Sequence, residues 1–112
     1  NIEAISIFPD DNVEKKRKEI IKAIKKVDQK KGVIVLTDMF GGTPSNLAIS
    51  VMDEEKVEVV AGVNLPMLIK ISSLRNKCKI KELIKISQES GRKYMNVASA
   101  FFGETTNCNK KN

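Results

Sequence analysis

The run VIVLT, Val33 to Thr37, is apolar and largely β-branched until its last position. A strand with one wet face alternates apolar and polar residues, whereas an unbroken apolar run belongs to a strand covered on both faces, as in a parallel sheet. Helices must then lie above and below it, which points to an α/β domain with right-handed crossovers.

The rest of the chain supplies those helices. IEAISIF, Ile2 to Phe8, reads as a strand ended by Pro9. Asp11 and Glu14 resemble a capping box. After them Val13, Ile20, Ile21, Ile24 and Val27 recur at helical spacing, while Lys15, Lys16, Lys18, Lys22, Lys25 and Lys26 largely fill the other side. This amphipathic helix is expected to close near Gly32. Thr43 reads as an N-cap and Pro44 as the first helical residue of a second helix, which carries Leu47, Ala48, Val51 and Met52 inward. Val57 to Ala61 reads as another strand, broken by Gly62. A short helix is expected around Pro66 to Leu74. A further one over IKELIKISQESGR has Ile80, Leu83, Ile84 and Ser87 on its inner face and Gly91 as its stop. Tyr94 to Phe102 is the last candidate strand. The expected architecture is α/β, a mostly parallel sheet with helices on both faces in three layers, as one domain over residues 1–112.

At 112 residues the chain can bury an ordinary core without staples. No apolar run approaches the roughly 18 residues that cross a bilayer, and Asn1 to Phe8 carries Glu3 and meets Pro9-Asp10-Asp11 instead of a signal-peptide pattern. A cytoplasmic location is therefore expected. Asn at the first position points to an internal piece of a longer product. The net charge of +6 is spread along helical faces, and aromatic residues are only 4%, so a stacking platform for bases is lacking. No nucleic-acid partner is expected; a solvated basic face that could meet an acidic partner fits better. Cys78 and Cys108 form no CxxC pair and the sequence contains no histidine, so neither a zinc site nor a disulfide framework is indicated. No metal or cofactor is expected, and Cys108 falls in a polar tail expected to fray.

The chemistry concentrates in TDMFGGTPSN, Thr37 to Asn46. Ligands of open parallel sheets gather at the carboxyl ends of the strands, and Asp38 lies one residue past such an end. Gly41 and Gly42 let backbone approach a ligand closely, Thr43 offers a hydroxyl, and the helix start offers free N–H groups with roughly half a positive charge. A phosphoryl group suits that end. Asp38 would repel it, and makes better sense as the partner of a cation or of an imidazole N–H, leaving the other ring nitrogen as nucleophile. The site implies a histidine that these residues do not contain. Each feature also has an ordinary reading: Thr-Pro is a common helix start, Gly-Gly a common turn, and an aspartate can cap a turn. Neither GxxxxGK nor GxGxxG occurs, so ordinary nucleotide chemistry is disfavoured.

Together, VIVLTDMFGGTPSNLA and VEVVAGVNLPML resemble the enzyme IIA component of the mannose family of the bacterial sugar phosphotransferase system. The resemblance runs through Phe102, and the motifs DxFGGTPSN and GVNLPML are specific to it. It implies a cytoplasmic phosphoryl carrier that takes phosphate from the histidine phosphocarrier protein and passes it to a IIB component serving a membrane permease, so that contact with the membrane is only indirect. By that resemblance Asp38 holds the ring of a phosphoacceptor histidine, Thr43 with Gly41 and Gly42 surrounds the phosphoryl group, and Asn64, Leu65 and Pro66 form a second loop beside it. A homodimer is implied too, with the strand Tyr94 to Phe102 crossing to the partner's sheet.

The sequence departs from the family at its start. The family's first strand, histidine loop and first helix have no counterpart, because IEAISIF matches the second strand. The family's first strand lies between the strands matching Ile2 to Phe8 and Val33 to Thr37, and its loss leaves unpaired backbone and a void. Three expectations remain open: a piece of a full carrier, a strand supplied by another segment, or a degenerate relative whose sheet closes differently. In the last case the chain is a histidine-free regulatory or partner-binding module. A small-anion or nucleotide binder using the same helix terminus is a third, weaker reading.

Overall fold

The computed structural model of the chain describes residues 1–52 and 56–103. Its elements are α1 (Val13–Val27), β1 (Val33–Thr37), α2 (Thr43–Ser50), β2 (Val57–Ala61), α3 (Leu65–Leu74), α4 (Ile80–Lys93) and a short 3-10 turn at Ala98–Phe102. β1 and β2 pair in parallel, with Val33 opposite Val57 and Thr37 opposite Ala61, and α2 makes the crossover between them.

Alternation along β1 divides the core. Val33 joins Ile20, Ile24, Leu47 and Val51 in a buried cluster, with Val35 and Val57 packed against it, so α1 and α2 cover this face. Ile34 and Leu36 point the other way, toward the layer of α3 and α4. The expected layered α/β architecture with a parallel sheet is what forms. Among the described residues the sheet has two strands.

Two expected strands are absent. Ile2 to Phe8 has no ladder, although Ile5 and Ile7 are half-buried against the α1–α2 cluster at the period of a strand. The alternation survives because burial sets it; the strand does not form because a ladder needs a neighbour. Glu3 pairs with Lys26 on α1, and the Arg75 guanidinium donates to the Asn1 carbonyl at 3.3 Å. The Glu3 hydrogen bond and charge hold the Lys26 ammonium above its ordinary 10.5. A raised folded-state value means that the pair's contribution is complete below pH 10.5 and is lost as pH rises through the raised value.

Tyr94 to Phe102 is likewise not a strand: Met95 to Val97 is irregular and Ala98–Phe102 is 3-10. Met95 and Phe102 are 86% and 84% exposed, so no sheet face within the chain receives these side chains. The tail with Cys108 lies outside the described residues, and Cys78 is a half-buried free thiol.

Helix ends differ from expectation in instructive ways. Asn12, not Asp11, caps α1, its Oδ1 accepting from the Lys15 N–H at 3.0 Å, while Asp11 accepts from the Phe8 N–H at 2.7 Å. Local geometry favours the residue with extended φ and ψ directly before the first turn. Val13, expected to face inward, stands 55% exposed at that first turn. The helix also ends at Asp28, short of Gly32, which instead turns the chain into β1 with φ +96°. Gly91 does not stop α4. It is buried within the helix, where a Cβ would meet Met67 Cε at 3.3 Å and the Asn64 amide at 3.4 Å. Its missing side chain lets α3 approach α4.

Candidate functional site

The loops leaving β1 and β2 are tied together at the carboxyl end of the sheet. The Gly62 N–H donates to the Asp38 carbonyl at 2.8 Å, and the Val63 N–H donates to the Thr37 carbonyl at 3.0 Å. These two bonds continue the parallel ladder past the last paired residues. They bring the segment Asp38 to Thr43 beside the segment Asn64 to Pro66, uniting the two motifs that the sequence keeps 20 residues apart.

Asp38 is exposed, and its Oδ1 accepts from the Met39 N–H at 2.8 Å. One carboxylate oxygen is thus held by its own loop and the other is left for a partner. Gly41 has φ +96°, a left-handed conformation that a side chain strains, yet an added Cβ there would meet nothing within 4 Å. Gly42 has φ −95°, and its added Cβ would touch only Pro44 Cδ at an ordinary 3.6 Å. The two glycines therefore have different roles: Gly41 makes the turn, and Gly42 leaves space that the protein itself does not fill. We expect Gly41→Ala to lower stability by about 1 kcal/mol in urea unfolding, and Gly42→Ala to leave the midpoint nearly unchanged.

Gly42, not Thr43, is the N-cap of α2. Its carbonyl accepts the first helical bond from the Asn46 N–H at 3.0 Å and also the Ser45 hydroxyl at 3.0 Å. Thr43 is pulled into the first turn because the buried Ser45 side chain folds back on Gly42, so Thr43 leaves the helix start without a side-chain cap. Glycine cannot cap either, so the first-turn N–H groups of Thr43 and Ser45 have no side-chain partner; Pro44 has no N–H to donate. Thr43 is exposed on the same turn, with its hydroxyl available.

In the second loop, Asn64 is a structural hub. Its Oδ1 accepts from the Met67 N–H at 3.1 Å, capping α3, and its Nδ2 donates to the Gly91 carbonyl of α4 at 2.9 Å. Both ends of the amide are in use. We expect Asn64→Asp to keep the cap but lose the donor, placing a carboxylate oxygen against a carbonyl, and to lower stability by about 2 kcal/mol in urea unfolding. Leu65 is 67% exposed, and Pro66 sits in the first turn of α3 with its carbonyl 3.5 Å from the Ser90 hydroxyl. Met39 and Phe40 are also more than half exposed. The polar turn is therefore rimmed by apolar side chains from both loops.

Sequence reasoning passed over two residues. Ser45 shapes the turn from a fully buried position, and the only signal for it was its place three residues after Gly42. Thr37 is buried with its Oγ1 unpartnered, directly before Asp38; as the last residue of an apolar run its hydroxyl was the one polar atom there. Among the described residues no group of three or more Cys, Asp or Glu side chains converges as a metal site would require, and no helix is long and apolar enough to cross a membrane.

With this geometry in hand, comparisons with known proteins are informative. A family model described as the PTS system fructose IIA component matches residues 1–88. The chain is 28% identical over 111 residues to the PTS system fructose-specific EIIA component of Bacillus subtilis (strain 168), covering 98% of this chain and 76% of that protein. It is 37% identical over 94 residues to the PTS system mannose-specific EIIAB component of Escherichia coli (strain K12), covering 82% of this chain but 29% of that protein. The solved structure of phosphotransferase system component EIIA from Streptococcus agalactiae superposes with a TM-score of 0.69 at 25% identity, over 82% of this chain and 72% of that one. The PTS IIA protein associated with the fucose utilization operon of Streptococcus pneumoniae superposes with a TM-score of 0.63 at 29% identity, over 83% and 68%.

Proposed function

Because the chain belongs to the mannose-type EIIA family of the sugar phosphotransferase system, we propose that it forms the phosphate-holding part of a phosphoryl carrier whose acceptor imidazole comes from outside these 112 residues. Asp38 accepts a hydrogen bond from one ring N–H and fixes the tautomer. The other ring nitrogen attacks the phosphorus carried by the histidine phosphocarrier protein, the donor's P–N bond breaks, and the donor ring leaves with its electron pair. The Thr43 hydroxyl, the α2 amino terminus and the space over Gly41 and Gly42 stabilise the transferred group. Asn64, Leu65 and Pro66 form the second wall. A IIB component then takes the phosphoryl group, and the exposed Met39, Phe40 and Leu65 provide apolar contact for the protein partners. The carrier works in the cytoplasm as a homodimer, reaching the membrane only through a permease.

The observation that supports this reading is the pair of hydrogen bonds from Gly62 and Val63, because it brings the Asn64 to Pro66 loop to the sheet end from which Asp38 and the uncapped start of α2 emerge. A specific observation also favours a second reading: the 112 residues contain no histidine. Under that reading the chain docks partners without accepting phosphate. The product of the whole reading frame, incubated with phosphoenolpyruvate, enzyme I and the phosphocarrier protein, separates the two. The carrier gains one acid-labile phosphate on histidine; a binding module gains none while still retaining the partner.

A further inference from the structure

Two residues compete for the start of α2. A threonine directly before a proline ordinarily serves as the helix cap, with the proline as the first helical residue. The chain has that pair at Thr43-Pro44, yet α2 begins one residue earlier, with Gly42 as the cap and Thr43 already in the first turn. Local preference opposes this start. Glycine brings no side-chain acceptor to the cap, and a residue that precedes proline is pushed away from the helical conformation.

Ser45 reverses the preference. Its side chain is completely buried, and its hydroxyl donates to the Gly42 carbonyl at 3.0 Å, the oxygen that also accepts from the Asn46 N–H at 3.0 Å. Were the start to move to Pro44, the Gly42 carbonyl would leave the helix and the buried Ser45 hydroxyl would lose its acceptor, which is costly. The choice of start decides what the turn offers a ligand. A trans peptide holds its C=O and N–H in opposite directions, so a Gly42 carbonyl drawn into the helix by two donors points the Thr43 N–H out of its amino end. With Thr43 as the cap, its Oγ1 would instead accept from the Ser45 or Asn46 N–H, and the turn would satisfy itself.

We propose, on the basis of the phosphate site described above, that Ser45 is a positioning residue for phosphoryl transfer. It selects the Gly42 start of α2 and so keeps the exposed Thr43 hydroxyl and the outward Thr43 N–H for the phosphoryl oxygens. Its own side chain faces away from the ligand, into the buried side of the turn. Without the Ser45 hydroxyl nothing penalises the Pro44 start: Thr43 becomes the cap, α2 loses its first residue, and the site closes on itself. Stability then changes little, since a side-chain cap takes the place of the buried bond.

The test is Ser45→Ala in the 112-residue chain, titrated with N-phosphoimidazole while amide shifts and the Thr43 Cα and Cβ shifts are followed beside urea unfolding. In Ser45→Ala the Thr43 carbons are expected to move from helical to extended values and the dissociation constant to rise about tenfold or more, with the unfolding midpoint nearly unmoved. Ser45→Cys, close in size and a weak donor, is expected to fall between the two, and carries the comparison if the alanine variant does not fold. Unchanged binding by the folded variant, or weakened binding with Thr43 still helical, overturns the role of Ser45 and leaves the phosphate site standing. A wild-type chain whose Thr43 amide does not respond to N-phosphoimidazole overturns the phosphate site, and the role of Ser45 with it.

Discussion

Asp38→Asn should lower phosphoryl transfer through the completed site by about 100-fold while leaving the unfolding midpoint unchanged. The stability half of this expectation comes from the exposed position of Asp38 and from its one local bond, the Met39 N–H on Oδ1 at 2.8 Å. An amide oxygen accepts that bond equally well. The catalytic half comes from charge: a neutral amide neither stabilises the positive ring formed during transfer nor selects the tautomer, since its NH₂ can face the ring nitrogen. Thr43→Val should cost about tenfold, one hydrogen bond to a charged group. Rates with phosphorylated phosphocarrier protein, measured beside urea unfolding, check both. Equal losses in rate and stability for Asp38→Asn would make its role structural.

Leu47→Ala should give the largest loss of stability, about 3 kcal/mol or some 12 °C in the melting temperature. Leu47 is 5% exposed and belongs to the cluster that joins α1, α2 and β1. With only two paired strands among the described residues, that cluster fastens the crossover helix to the sheet. Transfer should therefore fall with Leu47→Ala only where the domain unfolds, and should recover on cooling toward the temperature of maximum stability. Calorimetry with rates at two temperatures distinguishes this from a direct effect on the site.

The contrast between these variants reflects what a sequence makes legible. VIVLT reads correctly because its apolar character fixes it between layers, and VEVVA because its β-branched residues flank a buried Val59 even though Glu58 is exposed. The bounds of α3 read well because the Leu-Pro start and the apolar spacing are local, whereas α1 reads correctly as a helix but stops at Val27, short of Gly32. Ile2 to Phe8 carries the same local marks as a strand, yet a ladder depends on another segment, and its alternation records only that one side is buried. Tyr94 to Phe102 failed for a related reason, since its exposed aromatic side chains find no surface within the chain. At the site, the motif identified the turn but assigned the cap one residue late, because Ser45, buried behind Gly42, is what pins the helix start. Asn64 was placed beside the site through a family likeness; its two hydrogen bonds give it a second duty in joining α3 to α4.

The most direct measurement is a titration of the chain with N-phosphoimidazole, which carries the ring and the phosphoryl group of the proposed acceptor together, monitored by backbone amide chemical shifts. Saturable shifts at Gly42, Thr43 and Ser45, absent with imidazole alone and weakened in Asp38→Asn, are expected from an uncapped helix start that receives the phosphoryl group beside an orienting carboxylate. Shifts confined to the lysines of α1, or the same shifts at α2 for wild type and Asp38→Asn, would contradict it.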